Sequence, residues 1–359
     1  IDPATGKEEK LLFEHPDVDV DHLSYWHSRK AIACAHFTTW KQERKCFDAD
    51  TTNLYAQLEK KLPGYELTID AADKAEDKLV VRARNDRTRG SSWLYDRRAD
   101  KLTKLADAAP WLDEKQLAEM KPISYKARDG LTIQGYLMLP KGVAPKGLPM
   151  VVNPHGGPWA RDLWRFNPEA QFLANRGYAV LQMNFRGSTG YGRKFWESSF
   201  KEWGGKMQDD VSDGVKYMIG QGIADPKRIA IYGGSYGGYA TLAGLTFSPE
   251  LYACGVDYVG VSNLFTFMKS IPPYWKPYLE MMYEMVGNPD KDKALLTARS
   301  PVFHVDRIRA PLFIAQGKND PRVNINESNQ VVEALKKRGI DVPYLVKDNE
   351  GHGFHNEEN

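Results

Sequence analysis

Two different patterns of hydrophobic and polar residues divide the chain near residue 118. Before that point, apolar residues alternate or cluster over short runs separated by charged turns, which is typical of β-strands. The runs that predict strands are 31–37, 65–69, 78–83 and 92–96. The segment 93–105 further predicts a hairpin whose outer strand ends a blade of a β-propeller. Because a blade takes ~40–50 residues, we expect residues 1–118 to be the C-terminal portion of an incomplete propeller with roughly two to three blades.

From residue 119 onward the pattern changes to an alternation of strands and helices. Strands are predicted at 131–139, 150–153, 179–184, 229–233, 255–259, 312–316 and 344–347, and helices at 169–176, 209–219, 237–246 and 328–338. Several of the strands are continuous apolar runs, which are expected where a sheet is covered on both faces. We therefore predict a second domain, residues 119–359, with a mostly parallel sheet and flanking helices.

The run Gly233-Gly-Ser-Tyr-Gly-Gly238 lies between a predicted strand and a predicted helix. In this setting the Gly-x-Ser-x-Gly spacing is typical of a nucleophile elbow, a tight turn that lifts a serine hydroxyl above the sheet. Close approach of the chain leaves room only for glycine on either side of the serine. The pattern thus predicts an α/β-hydrolase fold in which Ser235 is the nucleophile.

A serine hydroxyl needs a base that takes its proton and an acid that orients the base. In α/β-hydrolases these partners follow the serine in the order acid, then histidine. Asp320 comes shortly after the predicted strand 312–316, and His352 comes shortly after the predicted strand 344–347. We therefore predict a catalytic triad of Ser235, Asp320 and His352.

Other residues near these positions leave alternatives open. Asp257 also ends a predicted strand and is a rival for the acid. His304 precedes Asp320 in the chain, so we expect it to pack or to cap a helix. His355 could bind a metal together with His352, although no carboxylate or cysteine completes such a site.

Acyl transfer also requires hydrogen-bond donors where negative charge develops on the carbonyl oxygen. The backbone N–H of Tyr236, directly after the nucleophile, is the first donor that an elbow supplies. The second is expected from the glycine-containing loop 153–158, where Gly157 is favoured over Gly156. A simple tight turn is the alternative interpretation of that loop.

Composition narrows the classes of function. The 359 residues include 49 basic and 47 acidic side chains, a net charge of +2 that does not favour nucleic acid or an anionic membrane as a partner. No apolar run reaches the ~18 residues that span a bilayer, so we expect a soluble protein.

The cysteines Cys34 and Cys46 could meet across a hairpin or stay as free thiols, so the compartment (cytoplasmic, periplasmic or secreted) is left open. Because the chain begins at Ile1, we expect it to be a piece of a longer protein.

The glycine runs do not match the spacing of phosphate-binding or dinucleotide-binding loops. Residues 233–238 lack the Lys-Ser/Thr pair of a P-loop, and residues 187–192 carry the dinucleotide glycine spacing in reverse. No His-Glu-x-x-His zinc motif occurs in the sequence. No cofactor and no metal are therefore predicted.

Several motifs together resemble the prolyl oligopeptidase family of serine peptidases, most closely its acylaminoacyl-peptidase branch. They are the loop 153–158, the segments 184–192 and 202–210, Asp-Pro-Arg-Val at 320–323 and Gly-His-Gly-Phe at 351–354. The resemblance covers roughly residues 120–359 and implies a β-propeller joined to an α/β-hydrolase domain. Position by position it implies the triad named above, with the N–H groups of Tyr236 and Gly157 as oxyanion donors.

The same resemblance implies how a substrate is bound. Arg322 matches an arginine that grips a substrate carbonyl, and its alternative is an exposed arginine in a salt bridge. His155 stands where other branches carry a tyrosine, which favours an oxyanion hole made only of backbone groups. The pocket for the side chain before the scissile bond (the S1 pocket) is expected to be apolar. Candidates for its lining are Phe265, Phe267, Tyr274 and Trp275.

We therefore expect a serine peptidase that cleaves short peptides or N-acylated peptides through an acyl-enzyme. A dipeptidyl aminopeptidase of the same family and a carboxylesterase are the alternatives within hydrolases. A noncatalytic binding protein that recruits partners through its propeller is the alternative outside them. The expected partner is a short peptide substrate, and assembly into a homo-oligomer is left open.

Overall fold

A computed structural model describes residues 5–359, which form two compact units. The first comprises the described chain up to Glu119 together with Leu163–Pro168 and Gly190–Gly192. The second comprises Met120–Asp162, Glu169–Thr189 and Arg193–Asn359. Residues 1–4, which the sequence assigns to the propeller segment, lie outside the described residues.

The first unit contains two antiparallel sheets. A three-stranded sheet holds β1 (Val20–Trp26), β2 (Ala31–Thr38) and β3 (Gln42–Cys46). A four-stranded sheet holds β4 (Glu66–Ala72), β5 (Lys78–Asn85), β6 (Thr88–Asp96) and β7 (Lys101–Asp107), paired in chain order. The predicted hairpin is the β6–β7 pair, and a four-stranded meander of this kind is the unit from which propellers are built.

Helix α1 (Ala49–Lys61) interrupts the strands of the first unit, and the sequence analysis did not predict it. Asp48 caps it by accepting a hydrogen bond from the backbone N–H of Thr51 at 2.7 Å. Leu54 and Leu58, four residues apart, lie on its buried face. This apolar face has few residues and is surrounded by polar ones, so the pattern of residues 49–61 does not by itself predict a helix.

Cys34 and Cys46 form a disulfide. They are directly opposite each other in the register of β2 and β3, so the bond closes this hairpin. The structure thereby selects one of the two alternatives that the sequence left open.

The second unit is built on an eight-stranded sheet with the order β15-β14-β13-β12-β10-β11-β9-β8. The strands are β8 (Met120–Lys126), β9 (Thr132–Met138), β10 (Leu148–Val152), β11 (Ala179–Asn184), β12 (Ala224–Gly234), β13 (Cys254–Tyr258), β14 (Leu312–Gly317) and β15 (Tyr344–Lys347). Strands β10 to β15 run parallel, and β9 is antiparallel to both of its neighbours. The predicted α/β-hydrolase class is confirmed, and β8 is a strand that the sequence analysis did not predict.

Helices accompany the sheet of the second unit. They are α2 (Pro168–Ala174), α3 (Arg193–Glu197), α4 (Lys206–Gly220), α5 (Tyr236–Phe247), α6 (Leu264–Lys269), α7 (Leu279–Met285), α8 (Lys293–Arg299) and α9 (Asn326–Lys336). Helix α5 is buried from Tyr236 to Thr246, which explains its small and apolar sequence. Among the residues that the structure describes, no helix is long and apolar enough to cross a membrane.

The parallel strands determine where functional side chains can meet. The loops after β10, β12, β14 and β15 leave the carboxyl ends of parallel strands, which lie along one edge of the sheet. These four loops carry, respectively, the predicted oxyanion loop, the serine, the acid and the histidine. The topology therefore brings all of the predicted catalytic groups to the same edge.

Candidate active site

Ser235 occupies the tight turn between β12 and α5, with φ of 59° and ψ of −117°. A positive φ is costly for a residue with a side chain and is kept only where the surroundings impose it. Gly233 and Gly237 impose it here, because a Cβ atom on Gly233 would lie 2.6 Å from the backbone of Gly237. The backbone N–H of Ser235 donates to the carbonyl of Tyr258 at 2.9 Å and ties the turn to β13.

Asp320 and His352 form a hydrogen-bonded pair. Oδ2 of the aspartate lies 2.7 Å from Nδ1 of the imidazole. The other oxygen, Oδ1, accepts from the backbone N–H groups of Arg322 at 2.8 Å and Val323 at 2.9 Å, so the buried carboxylate is fixed by its own loop. With Nδ1–H donated to the aspartate, Nε2 is the nitrogen left to accept a proton.

Ser235 and His352, both within residues 5–359, make no hydrogen bond with each other. Catalytic hydrogen bonds in free enzymes are often long and tighten when substrate binds. The structure thus joins the acid to the base and places the serine on another loop at the same sheet edge.

Asp257, the rival acid, is not the carboxylate that His352 bonds. Its side chain is fully buried, and neither carboxylate oxygen has a hydrogen-bond partner among the described residues. Burial, together with the nearby charge of Glu327, raises the pKa of Asp257 to about 7. A carboxyl that holds its proton near neutral pH and does not touch the imidazole is poorly suited to orient it.

The remaining histidines after the serine make other contacts. His304 Nε2 lies 3.2 Å from the carbonyl of Thr297, and its ring packs edge-on against Phe247. The backbone N–H of His355 donates to Glu350. Within the described part of the chain, no three His, Cys, Asp or Glu side chains are grouped so that they could hold a metal ion.

His155 orients the predicted oxyanion loop. Its Nδ1 lies 2.8 Å from the carbonyl of Gly156, its Nε2 lies 2.9 Å from Oγ of Ser188, and its ring stacks on Phe185. Burial lowers the pKa of His155 to about 4, so the ring is neutral at neutral pH. A carbonyl can only accept, and Nδ1 therefore carries the proton. The imidazole thus fixes the peptide group between Gly156 and Gly157, whose N–H is the predicted second donor.

A cavity of about 210 Å³ opens beside the serine. Ser235, Tyr236, Gly157 and Arg322, which are four of the six predicted site residues, contribute to its lining. The rest of the wall is apolar and is formed by Trp159, Trp203, Val261, Phe267, Trp275, Tyr278, Met281, Met282 and Val323.

The lining of the cavity was only partly predicted. Of the four aromatic candidates, Phe267 and Trp275 line the cavity, whereas Phe265 and Tyr274 do not. The methionines of α7 and the residues Trp159 and Trp203 were missed. They come from separate loops and helices and share no sequence spacing that could have marked them.

Arg322 lies at the exposed side of this cavity. Its guanidinium forms no salt bridge with any residue in 5–359, so the alternative of a salt-bridging arginine finds no partner there. A cation placed near the nucleophile without an ion pair is available to a polar group of a ligand.

Comparison with known proteins gives three kinds of match. The model of the "Prolyl oligopeptidase family" matches residues 164–359. The chain is 48% identical over 276 residues to "Dipeptidyl aminopeptidase BIII" of Pseudoxanthomonas mexicana, covering 74% of this chain and 40% of that protein. It is 30% identical over 208 residues to "Acylamino-acid-releasing enzyme" of Arabidopsis thaliana, covering 57% of this chain and 27% of that protein.

A solved structure extends these matches to the fold. A "mycobacterium tuberculosis puromycin-hydrolyzing peptidase" superposes with a TM-score of 0.78 at 26% identity, over 92% of this chain and 50% of that one. The chain spans about two fifths of the length of the curated relative to which it is 48% identical over the aligned residues.

Proposed function

The chain belongs to the prolyl oligopeptidase family, and on that premise we propose that it carries the catalytic machinery of a serine peptidase that cleaves short peptides. The observation that carries the proposal is the bond between Asp320 and His352 at one sheet edge with Ser235. These three side chains are of the types that acyl transfer requires as acid, base and nucleophile.

In the proposed mechanism, Oγ of Ser235 attacks the scissile carbonyl and gives its proton to Nε2 of His352. Asp320 holds the imidazole in the correct tautomer and stabilises the imidazolium that forms. The imidazolium then protonates the leaving amine, and an acyl-enzyme remains on Ser235. Water, activated by the same imidazole, attacks the ester carbonyl and releases the acyl product.

The N–H groups of Tyr236 and Gly157 are proposed to bind the oxyanion that forms on each attack. Both residues line the cavity beside Ser235, which supports this role. One such donor contributes about 10²–10³-fold to kcat in serine peptidases. The contact of His155 with the carbonyl of Gly156 supports a second donor, the Gly157 N–H, that is held before substrate binds.

The cavity favours a large apolar side chain at P1, the residue whose carbonyl is attacked. Its wall combines the aromatic rings of Phe267 and Trp275 with the flexible side chains of Met281 and Met282. An aromatic or long aliphatic P1 side chain would bury its apolar surface there, at roughly 25 cal/mol per Å². Arg322 is proposed to donate to a backbone carbonyl of the same peptide.

Two substrate classes follow from the relatives. The name of the bacterial relative supports cleavage of dipeptides from a free N-terminus, and that of the plant relative supports cleavage of N-acylated residues. The higher identity of the first favours the dipeptidyl activity as the leading alternative. Assembly into a homo-oligomer stays a prediction.

A chromogenic substrate panel tests the proposal. It compares free-N-terminal dipeptide anilides, N-acyl amino-acid anilides and simple esters, each with Phe or Ala at P1. We expect anilide turnover that prefers Phe and is abolished in Ser235→Ala but not in Ser248→Ala, at the other end of α5. Ester turnover without anilide turnover would instead support a carboxylesterase. Absence of both, with no fluorophosphonate labelling of Ser235, would support a noncatalytic binding protein.

The disulfide between Cys34 and Cys46 supports a periplasmic or secreted location over a cytoplasmic one. Structural disulfides persist in oxidising compartments and are rare in the cytosol. Thiol titration of the denatured natural protein before and after reduction tests this, since reduction is expected to release two additional thiols from this pair. Two free thiols at positions 34 and 46 without reduction would contradict it.

A further inference from the structure

Tyr258 lies at the end of β13, beside the turn that carries Ser235. In the register of the sheet it pairs with Gly234, the residue before the serine. Its carbonyl accepts the backbone N–H of Ser235 at 2.9 Å. The main chain of Tyr258 therefore fixes one side of the nucleophile turn.

The side chain of Tyr258 reaches the loop that carries His352. Its phenolic oxygen accepts a hydrogen bond from the backbone N–H of Phe354. Its ring meets the ring of Phe354 edge-on, with centroids 5.1 Å apart. Between His352 and Phe354, a Cβ atom on Gly353 would lie 3.6 Å from the phenolic oxygen, so the loop backbone packs directly on the tyrosine.

His352 itself lies at the apex of a narrow turn. Gly351 and Gly353, on either side of it, form a bridge in which the N–H of Gly353 donates to the carbonyl of Gly351 at 3.0 Å. The segment after the histidine, which includes Phe354, is the part of the turn that Tyr258 contacts. Ser235 and His352 make no hydrogen bond with each other, so nothing between their side chains holds the imidazole in place. A shift of the segment after His352 would therefore move the imidazole relative to Ser235.

We propose that Tyr258 is a positioning residue that sets the distance between Ser235 and His352, with its carbonyl on the nucleophile turn and its phenol on the histidine loop. The inference rests on the proposed hydrolase function. It adds to the triad a residue that touches neither the substrate nor the reacting atoms.

The phenol keeps its proton in this role. Burial raises the pKa of Tyr258, and the charges of Glu169, Glu350 and Asp320 raise it further, against the opposing hydrogen bond from Phe354. A neutral phenol still has lone pairs for the N–H of Phe354. Glu350 anchors the following residues of the loop by accepting from the N–H of His355 and of Asn356, so loss of the phenol leaves the loop attached.

Tyr258→Phe tests the proposal, with Tyr344→Phe as its matched control. The first variant keeps the ring contact and removes only the acceptor for Phe354. The second removes a phenol from β15 that bonds to Asn329 at 2.9 Å, in the same sheet but away from the histidine loop. We expect Tyr258→Phe to lower kcat about tenfold and to change KM less than about twofold, because small displacements of catalytic groups lower the rate of the chemical step.

Hydrogen exchange gives a readout that does not depend on activity. The amide of Phe354 is expected to exchange about fivefold faster in Tyr258→Phe and at the wild-type rate in Tyr344→Phe, as loss of a hydrogen bond of roughly 1 kcal/mol would produce. Wild-type kcat in Tyr258→Phe, an equal loss in both variants, or unchanged exchange at Phe354 would overturn the proposal. If the wild-type chain turned over no substrate, the proposed function would fail. The exchange rates would still show whether the Tyr258 phenol bonds the N–H of Phe354.

Discussion

Gly237 lies directly against the carbonyl oxygen of Pro154, so closely that a Cβ atom on the glycine would be 2.3 Å from that oxygen. The first residue belongs to the nucleophile turn and the second to the predicted oxyanion loop, residues 153–158. The two halves of the proposed acyl-transfer site therefore meet backbone to backbone, with no side chain between them.

This contact predicts that Gly237→Ala is severely disruptive. Neither backbone can yield as a flexible side chain would, so one loop must move and misplace the serine or the oxyanion donors. We expect a loss of about 100-fold or more in kcat and of about 2–3 kcal/mol in the free energy of unfolding. Chromogenic turnover and chemical denaturation measure the two effects.

Gly220→Ala, at the end of α4, is the control for that substitution. A Cβ atom there meets no atom within 4 Å. We expect unchanged turnover and a gain of up to about 1 kcal/mol in stability. Wild-type behaviour of Gly237→Ala would show that the close contact does not exist in solution.

The bond between Asp320 and His352 predicts the effect of Asp320→Asn. The backbone N–H groups of Arg322 and Val323 hold the carboxamide oxygen, so the amide NH₂ faces the imidazole and favours the tautomer with the proton on Nε2. That tautomer cannot accept the serine proton. We expect kcat to fall about 10³–10⁴-fold with the fold intact.

Asp348→Asn serves as the control, because the exposed carboxylate of Asp348 pairs with the exposed Lys318 and with no other side chain in residues 5–359. Its kcat is expected to match the wild type. A loss of less than tenfold in Asp320→Asn would remove Asp320 from the proposed triad.

Asp257 predicts a pH-dependent loss of stability. With a pKa of about 7 in the folded chain and an ordinary value near 4 in the unfolded chain, the folded state keeps a proton that the unfolded state loses between these values. The free energy of unfolding therefore decreases as pH rises through this window. Asp257→Asn lacks this proton, so its stability relative to wild type should rise from pH 4 to pH 7 by on the order of 4 kcal/mol.

Urea denaturation of wild type and Asp257→Asn at several pH values measures this difference. Asp341→Asn, at an exposed position, is expected to track the wild type throughout. Parallel stability curves for wild type and Asp257→Asn would show that the Asp257 carboxyl ionises normally.

Glu327 predicts a separation between binding and chemistry. Its buried carboxylate accepts from the backbone N–H groups of Ser262 at 2.9 Å and Asn263 at 2.8 Å, and so fixes the segment that leads from Val261 to Phe267 in the cavity wall. Both N–H groups bond to Oε2, while Oε1 accepts from the hydroxyl of Thr266, so a glutamine, with its single acceptor oxygen, loses one side of this arrangement. We expect Glu327→Gln to raise KM for a substrate with Phe at P1 about fivefold, as a loss of roughly 1 kcal/mol in binding free energy would produce. The rise in KM for a substrate with Ala at P1, and the change in kcat, should be smaller.

Glu333→Gln, on the exposed face of the same helix, makes the same change in charge without these contacts. It should leave both substrates unaffected. An equal rise in KM for Phe and Ala substrates would contradict a role for Glu327 in shaping the P1 wall.

The sequence predicted the sheet of the second unit well where apolar runs are continuous and end abruptly. Strands β11 and β15 begin and end at the predicted residues, 179–184 and 344–347. Helix α1 was missed, since its apolar face consists of few residues in a polar background. The predicted boundary between the propeller segment and the hydrolase domain, at residues 118 and 119, stays a prediction.

For the site, the order of residues along the chain was informative, but the sequence did not show which candidate side chains are buried in the interior. The order of Ser235, Asp320 and His352 predicted which loops should meet, because parallel strands bring their carboxyl ends to one edge. Asp257 lies near the end of β13 and Asp320 follows β14, and only the structure shows that the first is buried in the interior and the second bonds the imidazole. The cavity wall depends on loops that are distant in sequence, which no local pattern encodes.

The close approach of Gly237 and Pro154 also bears on how such a site can change over time. The nucleophile turn and the oxyanion loop are held by main-chain contacts, where an added side chain would clash with the backbone. The P1 wall is held by side chains of Phe267, Trp275 and Met281, which can be exchanged one at a time. Selection in the laboratory for a new substrate should therefore accumulate substitutions in the wall and leave the glycine turn untouched.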